Sequence, residues 1–158
     1  MSNTPYCYIV LGDPTPLARC RVGNRRVWDT QKADKLHFSL HLKFLHGNRP
    51  LYSGPLHLEV NFFFPIPNSR KKLTSLIGSY HHYRPDISNL IKFVEDCATG
   101  VLYHDDCLIA SVTSTKKYDI DRPRTEFIIT PLLKEDHVRS NITDNNRRNS
   151  RSPSNPKS

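Results

Sequence analysis

The sequence predicts an α+β domain, a mixed and mostly antiparallel sheet with helices packed against it. Three observations carry this. Apolar residues alternate over several short runs, and they recur at helical spacing over longer ones. The order of elements also mixes the two kinds: strands, helix, strand, short helix, central helix, strands. A chain of 158 residues suffices for one domain with a real core, expected over residues 1–136.

The first strand is "YCYIVL", Tyr6 to Leu11. This early apolar run is too short to span a membrane and has no signal-cleavage pattern, so a cytoplasmic protein is expected. After the loop "GDPTPLARCR", the Gly23-Asn24 pair separates "CRV" from "RRVW". That pattern predicts a short hairpin carrying Arg19, Arg21, Arg25 and Arg26.

"TQKADKLHFSLHLKFLHG" reads two ways. Leu36, Phe38, Leu40, Leu42 and Phe44 alternate as in a strand, whereas Ala33, Leu36, Leu40, Phe44 and Leu45 fit a helical stripe. Length and the Gly47 stop favour the helix. In "LHLEVNFFF", Leu56, Leu58, Val60, Phe62 and Phe64 share one strand face, and Pro65 ends the strand. "SRKKLTSLIG" predicts a short basic helix capped by Ser69. "CLIASVTST" and "TEFIIT" are the last strands.

The formal charge is +8, which directs attention to polyanions, nucleic acid first. Residues 137–158 hold five basic residues against one acidic, a net +4. They are rich in Asn, Ser, Arg and Pro, and they predict a disordered basic tail. The sequon at Asn141 falls in that tail and is read as accidental. Cys7, Cys20, Cys97 and Cys107 form no C-x-x-C pair, and the eight histidines form no H-E-x-x-H pattern. A structural zinc site is therefore not expected.

The informative stretch is "RPDISNLIKFVEDCATGVLYHDD", residues 84–106. Leu90, Ile91, Val94, Cys97 and Ala98 gather on one helical arc. Asn89, Lys92, Glu95, Asp96 and Thr99 gather on the other. Lys92 stands one turn before Glu95 and Asp96. A helix from Ser88 to Thr99 is about 18 Å long. Asp105 and Asp106 approach Asp86 only if the chain doubles back after Gly100, a return to which "VLY" contributes. On structural grounds alone, Asp86 or Ser88 caps the helix and the late acids merely shape a turn. On chemical grounds, phosphodiester hydrolysis needs carboxylates for a hard cation and a nearby cation for developing charge. Asp86, Lys92, Asp105 and Asp106 offer both.

The same stretch resembles the signature of the RusA family of Holliday junction resolvases. That signature runs (K/R)-P-D-x-D-N-L-x-K, then an Asp, then G-x-x-x-x-D-D. Arg84, Pro85, Asp86, Asn89, Leu90, Lys92, Asp96, Gly100, Asp105 and Asp106 match it. Fainter likeness covers "GDPTPLARCR" and "FPIPNSRKK". The resemblance implies a single RusA-like domain and a homodimeric, Mg²⁺-dependent crossover junction endodeoxyribonuclease. Its substrate would be four-way junction DNA, cut by paired symmetric nicks in recombination and repair. By position, Asp86, Lys92 and Asp106 are implied to be catalytic. Asp86, Asp105 and Asp106 are implied metal-binding residues, and Asp96 is expected to steady Lys92.

One position departs from the pattern. Ser88 stands where the family carries an acid, which removes a negative charge; either Glu95 replaces it, or Ser88 binds through a metal-bound water while its neighbours suffice. A junction-binding protein of the same fold with weak catalysis is the alternative this raises. The Arg-rich tail raises a second, a basic RNA-associated protein. Candidate DNA contacts are Arg19, Arg21, Lys71, Lys72, Lys116 and Lys117. Tyr83 and Tyr118 are read as either base-stacking or packing residues. His82 and His104 flank the acids without a partner that makes either a general base.

Overall fold

The computed structural model describes residues 4–18, 21–23, 26–28, 30–67, 69, 74–120 and 122–132. The predicted tail over 137–158 lies outside them. Among the described residues, no helix is long and apolar enough to cross a membrane.

The elements are β1 (Tyr6–Leu11), β2 (Arg21–Gly23), β3 (Arg26–Trp28), α1 (Lys32–His46), β4 (Leu56–Pro65), α2 (Ile87–Ala98), β5 (Ile109–Asp119) and β6 (Arg124–Pro131). Strands β1, β6, β4 and β5 form one sheet in that spatial order. β1–β6 and β6–β4 pair antiparallel, while β4–β5 is parallel. The sheet is thus mixed and mostly antiparallel, as expected. A parallel pair needs a long crossover, and the segment from Pro65 to Ile109 supplies it with α2 inside. β2 and β3 form the predicted hairpin.

The alternation in β4 sorts its side chains as read, with Leu56, Leu58, Val60 and Phe62 buried. They meet Tyr8 and Val10 of β1, Phe127 and Ile129 of β6, and Leu90, Val94 and Ala98 of α2 in one core. Tyr8 stacks on Phe127 with centroids 5.0 Å apart, and its hydroxyl bonds to Nδ1 of buried His46 at 2.8 Å.

α1 is a helix, but of its expected stripe only Leu45 packs against the core. Leu36, Leu40 and Phe44 are more than half exposed. The packed side instead carries Phe38, Leu42, Leu45 and His46. Phe38 meets Phe93 of α2 edge-to-face at 5.5 Å, and Ser39 donates to the Cys97 carbonyl. Partners on α2 decide the face, and alternation within α1 does not reveal them. Of the predicted basic helix over 69–78, the described residues include a 3₁₀ turn at Thr74–Leu76. Residues 70–73 lie outside the described set.

Candidate active site

The site is built on the β4–β5 crossover. α2 buries Leu90, Phe93, Val94, Cys97 and Ala98, close to the predicted arc. Ile91, placed in that arc, is only partly buried. Anchoring that face turns Asn89, Lys92 and Thr99 toward solvent.

Asp86 is the N-cap residue of α2, yet its side chain makes no capping hydrogen bond. The carboxylate is exposed and not spent on the helix end. Such a cap contributes about 1 kcal/mol where it forms. The segment before Asp86 is fastened to β5. Gly78 N donates to Tyr118 O, Tyr118 N to Ser79 O, and His81 N to Lys116 O, each at 2.9 Å. Lys116 Nζ continues the rail with its side chain, donating to Tyr83 O at 2.7 Å and Pro85 O at 2.6 Å.

At the other end, Gly100 takes a left-handed φ of 76°, which lets the chain reverse. The reversal is pinned by "VLY". Leu102 and Tyr103 are buried, and the Tyr103 hydroxyl donates back to the Glu95 carbonyl at 3.2 Å. Burial pushes that phenol well above its ordinary pKa, so it remains a donor. The chain then enters a 3₁₀ turn, Asp106–Leu108. Asp105 caps that turn by accepting from Cys107 N at 2.8 Å. This bond holds the Asp105 carboxyl below its usual pKa.

The chain thus doubles back after Gly100 as far as Lys92, in the middle of α2. Lys92 Nζ donates to Asp106. The same ammonium lies 3.6 Å from Glu95 and 3.7 Å from Asp96. Three carboxylates surround one cation, and the bond to Asp106 is the largest cause of the raised Lys92 pKa. Burial raises the Glu95 pKa, while Lys92 opposes that shift. Asp96 does steady Lys92. It also takes an ion pair at 3.3 Å from Lys35 of α1, a residue the sequence reading did not single out.

Tyr118 packs, buried against His81 at 4.8 Å. Tyr83 stays 48% exposed. His82 lies against the Tyr83 ring, and His104 is exposed. Lys117 reaches over Tyr80, 5.9 Å from its centroid. Arg19, Lys71 and Lys72 lie outside the described residues, and Arg21 is described only as a residue of β2. Lys116, proposed as a DNA contact, spends its ammonium on two carbonyls.

Among the described residues, no three His, Cys, Asp or Glu side chains are grouped to hold a metal ion. The donors nevertheless suit a hard cation in kind: all are carboxylate oxygens, and Asp86 and Asp105 are exposed.

An α+β fold carrying acids and a lysine on one crossover fits a hydrolytic site for phosphodiesters, and comparison with known proteins narrows the class. The family described as Endodeoxyribonuclease RusA matches residues 12–130, and the chain belongs to that family. It is also similar to the uncharacterized protein YqaN of Bacillus subtilis (strain 168). The two are 26% identical over 133 residues, covering 77% of this chain and 93% of that protein.

Proposed function

We propose that this chain is a Mg²⁺-dependent, structure-specific endodeoxyribonuclease that resolves four-way DNA junctions by paired nicks. A homodimer would present one site to each of two equivalent strands. The observation that supports this reading most is the Lys92–Asp106 contact, which joins the first and last blocks of the family signature across 14 residues.

In this reading Asp86, Lys92 and Asp106 are the catalytic groups, and Asp86, Asp105 and Asp106 would hold the ion. Mg²⁺ commonly takes one or two protein carboxylates and completes its shell with water and substrate phosphate. A closed cage of three acids is therefore not required. When bound, Mg²⁺ supplies Lewis-acid polarisation of the phosphate and a more acidic water. The chain's own residues do the rest. Lys92 carries a fixed positive charge at the acids, where it can donate to phosphate oxygens as negative charge builds on them. Glu95 and Asp96 hold that ammonium from within α2, and Lys35 holds Asp96 from α1.

Ser88 supports a second reading, a junction-binding protein that cuts weakly. It is exposed in the first turn of α2 and adds no charge there. A labelled four-way junction incubated with and without Mg²⁺ separates the two. Paired nicks that require Mg²⁺ are expected. Tight junction binding without nicks would overturn the catalytic reading and leave the binding one.

A further inference from the structure

We infer that the groove beside Asp86 is a subsite for one unpaired nucleobase of branched DNA. Tyr83 is its stacking platform, and Lys116 ties that platform to the catalytic acid. This inference rests on the nuclease reading above.

The groove has a volume of about 540 Å³ and runs from Tyr80 past Tyr83 and Arg84 to Asp86 and Ser88, with Ser114 and Lys116 of β5 in its wall. That size suits a single bound group, since ligand sites span roughly 300–1,000 Å³. It does not suit a duplex. Two tyrosines stand at its rim, Tyr80 70% and Tyr83 48% exposed. Their rings offer the flat apolar surface on which bases stack regardless of sequence. A base inside a duplex hides its faces, whereas one freed at a branch point presents them.

The polar chemistry points the same way. The Arg84 guanidinium supplies a planar cation suited to a flanking phosphate. The Lys116 bonds to the carbonyls of Tyr83 and Pro85 make the platform and the residue before Asp86 one unit. A base seated on Tyr83 therefore registers its own strand against Asp86.

The test uses the full chain and a junction carrying 2-aminopurine at successive positions around the crossover, in EDTA so that no strand is cut. Wild type should change the fluorescence at one position. Tyr83→Ala should lose that change and weaken binding about tenfold, while Tyr83→Phe keeps both. Tyr80→Ala and Tyr83→Leu serve should Tyr83→Ala not fold. Junction binding with no fluorescence change, or a change that survives loss of both tyrosines, overturns the subsite and leaves the nuclease reading intact. Absence of junction binding by wild type removes both.

Discussion

Lys92 of α2 and Asp106 of the following 3₁₀ turn are hydrogen-bonded, although a helical turn, a reversal and a buried tyrosine separate them in sequence. The pair is substantially exposed, 45% and 39%. Exposed ion pairs contribute about 0–1 kcal/mol to folding. Lys92→Met is therefore expected to shift the melting temperature by only a few degrees. Its effect on junction cleavage should be about a hundredfold or more, the scale for loss of a charge-stabilising donor. Thermal melts and single-turnover cleavage on the same preparation check both halves.

Lys116 separates two roles that sequence treats alike. A lysine contacting phosphate adds to the salt dependence of binding. One tied to two carbonyls does not. Lys116→Met should lower stability by about 1–3 kcal/mol through the lost charged hydrogen bonds and slow cleavage. It should leave the slope of log affinity against log salt unchanged. A shallower slope would return Lys116 to the DNA-contacting group.

Tyr103 pins the return of the chain. Tyr103→Phe should cost about 1 kcal/mol for one hydrogen bond. Tyr103→Ala should cost about 3–5 kcal/mol by analogy with other large aromatic truncations, with cleavage falling as Asp105 and Asp106 lose their frame. Urea unfolding gives the first number and the junction assay the second.

His46 makes stability pH-dependent. Burial lowers its pKa below the ordinary 6.5. Between 6.5 and that lower folded value, the unfolded chain binds more protons than the folded one. Stability is thus fully present above about 6.5, falls as pH drops through the window, and levels off below it. Urea midpoints measured from pH 7.5 to 5 should show this decline, and it should be reduced in His46→Gln.

Ser88→Asp restores the charge that the family pattern carries. It should lower the Mg²⁺ concentration for half-maximal cleavage severalfold, since carboxylates are the hard ligands this ion takes. An unchanged Mg²⁺ requirement would show that Ser88 already suffices.

Much of this architecture was legible because it follows from period and punctuation. β4 declares itself by alternation, α2 by its arc, and the reversal by Gly100. The face of α1 was not legible. Leu36, Leu40 and Phe44 form a good stripe on paper, but Phe38 and Leu42 find the partners on α2 and in the core. The contacts of Lys35 and Lys116 were not legible for a related reason. Each acts through a residue far away in the chain, Asp96 in one case and the carbonyls of Tyr83 and Pro85 in the other. Spacing along the sequence carries no sign of either contact.

The parallel pairing of β5 beside β4 has a biosynthetic consequence. Asp86, Lys92 and Asp106 all leave the ribosome before β5 does, yet the rail that carries the Asp86 segment belongs to β5. A growing chain thus contains every proposed reactive group before it contains the strand that arranges them. The nuclease should stay inert until synthesis passes Pro131, because β6 joins β1 to β4 and so completes the sheet that β5 extends. A chain ended at residue 108 should show neither junction cleavage nor a cooperative melt.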